Sequence, residues 1–120
     1  MIKEDYVSYE VAKLLKEKEF EQHKCQHSYD SNGIFKWSDD LDPHEYSAPT
    51  HQMALKWLRE MHGIFIAINN DDLDFNWQCY DLINRGNTLD PKILSESYAG
   101  YKTYEEAVEA ALKYSLENLI

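Results

Sequence analysis

Histidine and cysteine side chains alternate in one short stretch of the chain, and both types suit metal binding. His23, Cys25 and His27 are spaced two residues apart, so a β-strand would project all three to one side. Imidazole and thiolate are good zinc ligands, and Cys79 could supply a fourth. Paired spacings such as Cys-x-x-Cys are missing, and alternation is also typical of a half-buried strand. We therefore interpret Cys25 as a small core residue and the histidines as rim positions, and we expect no metal and no cofactor.

An acidic stretch, residues 70–74, carries side-chain oxygens at alternating positions, as calcium-binding loops do. Counting from Asn70, the sixth position is Phe75, where such a loop needs glycine, and the twelfth is Asp81 rather than glutamate. We therefore interpret the stretch as a solvated turn.

Nucleophilic catalysis would need a serine, cysteine or threonine beside a base that a third group orients. The chain has no Gly-x-Ser-x-Gly motif and only four glycines, with no phosphate-binding glycine loop. A small-molecule enzyme that uses Cys25, His27 or His51 is one alternative, and it predicts a deep pocket lined by at least two of these residues. The sequence favours a non-enzyme.

Three helices are predicted from a recurring start. Ser8, Thr50 and Thr103 each stand four residues before an alanine and precede apolar residues at helical spacing, and such hydroxyls cap the free N–H groups of a first turn. The first helix should end near Lys18 or Phe20, the second at Gly63, and the third near the C-terminus.

Two aromatic-rich segments between these helices predict β-hairpins. Residues 24–29 and 34–37 flank Asn32-Gly33, a strong hairpin signal. Residues 64–68 and 75–80 flank a turn at 69–72, while residues 38–48 and 85–102 predict loops. We therefore predict one α+β domain over residues 1–120, of order α-ββ-α-ββ-α, with helices on one face of an antiparallel sheet of about four strands.

The charge of the chain limits its partners. Its 22 acidic and 12 basic residues give a net charge of −10, which opposes direct binding to nucleic acids and to anionic membranes. No apolar run approaches the roughly 20 residues that span a bilayer, and the N-terminus lacks the pattern of a secretory signal. We expect a cytoplasmic location with both cysteines reduced.

Two resemblances concern the helices. Residues 6–15 resemble the first helix of excisionase-like helix-turn-helix proteins, but a strand pattern follows where the recognition helix should be. Residues 6–18, 48–60 and 101–120 resemble a set of small, acidic, uncharacterised bacterial proteins that are often associated with phage or mobile elements. That set has no assigned activity, so the resemblance implies a single domain and no catalytic residue.

Nine tyrosines, four phenylalanines and three tryptophans exceed what a small domain can bury completely. We therefore expect a non-catalytic domain that binds a protein partner or itself, with a possible homodimer. Its candidate interaction residues are Trp37, Tyr46, Tyr80, Tyr98 and Tyr101. The other alternative is an acidic nucleic-acid mimic or a regulator of a nucleic-acid-binding protein. A mimic's acidic loops would have to share one surface; the candidate residues are Asp39, Asp40, Asp42, Glu45, Asp71, Asp72 and Asp74.

Overall fold

The computed structural model describes residues 2–22, 27–37, 41–83, 92–97 and 100–120. In these residues three helices alternate with two groups of three strands, giving the order α-βββ-α-βββ-α. The helices are α1 (Tyr9–Glu17), α2 (His51–His62) and α3 (Tyr104–Asn118). The strands are β1 (His27–Tyr29), β2 (Phe35–Trp37), β3 (Tyr46–Ser47), β4 (Ile64–Asp71), β5 (Asp74–Asp81) and β6 (Lys92–Glu96).

The strands form two antiparallel sheets rather than one. The first sheet has the order β2-β1-β3 and the second the order β4-β5-β6. The α+β class is therefore confirmed, whereas the single four-stranded sheet and the order α-ββ-α-ββ-α were wrong. The two missed strands lie in predicted loops: β3 has two residues, and β6 pairs with β5 through a bulge. Neither segment alternates apolar and polar residues. Each is extended because it pairs with the strand beside it, so its own sequence does not predict it.

The three predicted helix starts are confirmed. The side chains of Ser8, Thr50 and Thr103 each accept a hydrogen bond from the backbone N–H three residues further on, so each satisfies a donor that has no partner within its helix. Gly63 ends α2 with φ +65°, and a Cβ atom there would overlap the side chain of Ile83. Glycine is needed at this position for both reasons.

Both predicted hairpins are present, but the second turn is shorter than expected. In the first, the Asp30 carboxylate accepts hydrogen bonds from the N–H groups of Asn32 and Ile34, and Gly33 has φ +81°. In the second, the strands run on to Asp71 and from Asp74, so the turn contains only Asp72 and Leu73. Residues 69–71 are polar but continue the hydrogen-bond ladder of the hairpin. The turn predicted from their composition therefore began too early.

Helix α3 lies at the centre of the core. It packs against α1, α2 and the second sheet, and Val108 and Leu112, four residues apart on one side of the helix, are fully buried. In the second sheet Ile66, Trp77 and Cys79 point into this core, while Phe65 and Tyr80 lie on the opposite face. Among the described residues no helix combines the length and the apolar character that crossing a bilayer requires.

Candidate functional site

The structure separates the residues of the predicted zinc site. Cys79 is fully buried in the second sheet, where its Sγ lies 3.4 Å from Ser115 Oγ, and burial raises the pKa of its thiol. His27 instead belongs to an aromatic cluster on the first sheet. His23 and Cys25 lie outside the described residues. Within the described ranges no three potential metal-binding side chains of His, Cys, Asp or Glu come together.

His51 lies in a cavity that no local sequence pattern indicates. It is the first residue of α2 and is 8% exposed, and its Nε2 lies 2.9 Å from Glu109 Oε1 on α3. The same carboxylate oxygen accepts a hydrogen bond from the Ser8 N–H at 2.8 Å. These contacts connect the start of α1, the start of α2 and the middle of α3 through the half-buried carboxylate of Glu109.

The cavity beside this pair has a volume of about 510 Å³ and a mainly acidic and aromatic lining. An imidazole held by a carboxylate is one arrangement that orients a general base. Of the three residues named for the enzyme alternative, His51 lines this cavity, His27 lies in the aromatic cluster, and Cys25 lies outside the described residues. The remaining lining residues are Asp5, Tyr6, Ser8, Tyr101, Glu105 and Glu106.

The partner of Glu109 differs from the one that helical spacing suggests. Lys113, four residues further along α3, has its Nζ 2.8 Å from Glu10 on α1 instead. Glu109 is therefore free to accept from His51, which is 58 residues away in the sequence. Only the tertiary packing of α1 and α2 against α3 brings these groups together.

The predicted interaction residues have different surroundings. Trp37 is 61% exposed. Tyr46 is half-buried, with its ring against Tyr9 and the Lys16 ammonium 5.0 Å from its centre. Tyr80 and Tyr101 are half-buried as well, and Tyr98 lies outside the described residues. Trp37 is therefore the only one of the four described candidates that is mainly exposed.

Trp37 belongs to an aromatic cluster at the edge of the first sheet. The His27 ring stacks on Phe35 at 4.9 Å and meets Trp37 edge-on at 5.2 Å. The Tyr6 ring lies 4.4 Å from His27 and 5.5 Å from Phe35, centre to centre. The exposed fractions of Phe35 and Ile34 are 42% and 59%. In the described sheet β2 pairs with β1 alone, so an apolar surface adjoins a strand edge without a partner.

The opposite face of this edge carries a charge pair between the half-buried Lys36 and the buried Glu45. Lys36 alternates with Phe35 and Trp37, and its Nζ pairs with Glu45 Oε2. The other Glu45 oxygen accepts a hydrogen bond from the Asp42 N–H at 3.0 Å. The Lys36 hydrogen bond, followed by that of Asp42, holds the pKa of Glu45 below its ordinary value, and the Glu45 hydrogen bond raises the pKa of Lys36.

This pairing bears on the nucleic-acid mimic. Glu45 is buried and neutralised by Lys36, so it is not one of the exposed negative charges that such a mimic needs. Asp42 and the turn residues Asp71, Asp72 and Asp74 are exposed, and Asp39 and Asp40 lie outside the described residues.

The Lys36–Glu45 pair predicts a pH-dependent stability. A carboxylate whose pKa is lowered on folding stabilises the protein above its unfolded pKa, and this contribution is lost as the pH falls through the folded value. A lysine whose pKa is raised stabilises below its unfolded pKa and loses that contribution as the pH rises through the folded value. The stability lost in Glu45→Gln should therefore be largest near neutral pH and should shrink at both the acidic and the alkaline end.

Urea unfolding at a series of pH values measures this difference. Glu105→Gln, at an exposed site on α3, is the matched control and should give a smaller and flatter difference. A Glu45→Gln difference that does not change between neutral and acidic pH would contradict the assigned pair.

A second apolar row crosses the outer face of the second sheet. The strand register aligns Phe65 with Tyr80 and Tyr80 with Ile93, and Phe65 and Ile93 are exposed. Sequence reasoning found Tyr80 but missed Phe65, which stands in a continuous apolar run, and Ile93, because β6 has no alternating pattern. The bulge between Cys79 and Tyr80 also removes any simple spacing that could have identified Ile93.

Comparison of the chain with protein-family models found no match, and comparisons with curated proteins and with solved structures found no significant match. The resemblance to small acidic bacterial proteins therefore stays a prediction.

Proposed function

We propose that this chain is a non-catalytic domain that associates with a second copy through the edge of the first sheet, β2 against β2. The observation that carries the proposal is the exposed apolar surface of Ile34, Phe35 and Trp37 beside a strand edge that has no partner in the described sheet. Such edges act as templates for pairing with another chain, and proteins usually protect them with charges, prolines or a covering element.

The edge is complementary to itself. Antiparallel pairing centred on Lys36 would set Phe35 opposite the partner subunit's Trp37, and the two-fold axis would repeat this pair. Aromatic cross-strand pairs contribute roughly 0.2–1 kcal/mol each beyond alanine pairs. The resulting sheet would continue across both copies and would cover the exposed rings.

The charge pair on the other face makes this arrangement possible. Lysines directly opposite each other across two strands repel, and Lys36 would lie opposite the partner's Lys36 in this register. Each Lys36 is already neutralised by Glu45 of its own chain. The repulsion that opposes association then comes mainly from the net charge of −10 on each copy, and salt screens it.

Association should strengthen with salt and weaken when the rings are removed. We expect light scattering to give a mass that rises with protein concentration, and an association constant that rises as salt is added. Trp37→Ala should weaken association about tenfold or more, because truncation of a buried interface aromatic costs about 2 kcal/mol.

Leu73→Ala is the matched control, because Leu73 is also exposed and lies at the tip of the second hairpin. It should leave the association constant unchanged. A mass that stays at one copy at every concentration, or equal effects of the two substitutions, would overturn the proposal.

A further inference from the structure

A groove runs between α2 and β4, on the second sheet. Gly63 alone separates the two elements, and α2 packs against β4. The groove has a volume of about 770 Å³, and its lining includes four consecutive residues of β4, numbers 65–68. Neighbouring side chains of a strand point to opposite faces. A groove that contacts all four therefore runs along the strand edge rather than over one face of the sheet.

This edge of β4 has no strand beside it in the described sheet. The order β4-β5-β6 leaves β4 paired with β5 alone. The backbone N–H and C=O groups on its other side are therefore available to an added strand. Helix α2 supplies the opposite wall of the groove, so an added strand would be enclosed on two sides.

Two cations line the helical wall. Lys56 and Arg59 are exposed on α2 and line the groove, and neither has an ion pair or side-chain hydrogen bond among the residues that the structure describes. In a chain with a net charge of −10, two cations without a described partner, against the single acidic residue Glu4 of this lining, favour a ligand that carries carboxylates.

The remaining lining mixes apolar side chains with the polar residues Glu4, Thr50 and Gln52. Phe65 and Ala67 lie on the outer side of the β4 edge, and Met53, which is 54% exposed, lies on α2. In an added strand, alternate side chains would point toward α2 and the others toward Phe65 and Ala67.

We infer that this groove binds an extended segment of a partner protein that alternates acidic and apolar residues. The segment pairs with the free edge of β4, directs its carboxylates to Lys56 and Arg59, and covers Phe65 and Ala67 with its apolar side chains. This site is on the second sheet, so it is independent of the proposed association through β2.

The probe is a fluorescein-labelled peptide of about six residues that alternates valine and glutamate, a length suited to strand addition. Fluorescence anisotropy at low salt should show saturable binding that weakens as salt is added. The variant Lys56→Glu with Arg59→Glu should weaken binding about tenfold or more, because it replaces two attractive charge pairs by repulsion. Backbone amide shifts should change at residues 64–71.

Lys13→Glu, at an exposed site on α1, changes the net charge without altering the groove and should retain at least half of the affinity. A peptide that alternates valine and lysine, and a valine–glutamate peptide with N-methylated amides, should both bind more weakly. Absence of saturable binding, equal binding of the valine–lysine peptide, an unchanged affinity after reversal of Lys56 and Arg59, or shift changes confined to β2 would each overturn the inference.

Discussion

Replacement of Leu112 by alanine is expected to lower the free energy of unfolding by about 3.5 kcal/mol, the middle of the range for buried leucines. Leu112 is fully buried on α3, and this helix packs against α1, α2 and the second sheet. A cavity there removes contacts from several elements at once, so little relaxation can fill it. Urea unfolding followed by circular dichroism measures the change.

Leu73→Ala removes the same atoms at a site that is 90% exposed. Its effect should stay within about 0.5 kcal/mol. If Leu112→Ala and Leu73→Ala destabilise the protein equally, α3 does not occupy the centre of the core, and the arrangement of both sheets around it is wrong.

The second large effect is expected at Glu109. Its carboxylate accepts from His51, which is 8% exposed, and from the Ser8 N–H. Glu109→Ala leaves both groups without this partner, and each unsatisfied buried group costs about 1–3 kcal/mol. Because the Glu109 side chain is itself 27% exposed, water can replace part of the loss, and we expect a total of about 2 kcal/mol.

Glu105→Ala is the matched control, because Glu105 is exposed on the same helix and lines the same cavity. A double-mutant cycle with His51→Ala then isolates the pair: the double variant should lose less stability than the two single variants together. Additive losses would show that His51 and Glu109 do not interact, whatever the size of each single effect.

The helices were predictable because their signals are local. The cap hydroxyls of Ser8, Thr50 and Thr103 and the apolar stripe containing Val108 and Leu112 all act within a few residues. Strands β3 and β6 were not predictable in this way. Tyr46–Ser47 is too short to show a period, and Lys92–Glu96 contains a bulge, so both depend on strands elsewhere in the chain.

The candidate surfaces also divide into one that local sequence signals predict and others that depend on tertiary packing. Trp37 could be named as a candidate from the sequence, because it lies in a hairpin that Asn32-Gly33 predicts. The pairing of Glu109 with His51 instead joins α3 to the start of α2, and no local spacing encodes it. The α2–β4 groove required two non-local results, the order of the second sheet and the absence of a described strand beyond β4.

The central claim is that the β2 edge pairs with a second copy, and amide hydrogen exchange at Phe35–Trp37 tests it most directly. Backbone groups that enter an intermolecular ladder exchange more slowly. We therefore predict that exchange in β2 slows as the protein concentration rises, that Trp37→Ala removes this dependence, and that exchange in β4 does not change. The claim would be contradicted if the exchange rate of the β2 amides stayed constant over the range of protein concentrations in which light scattering detects association.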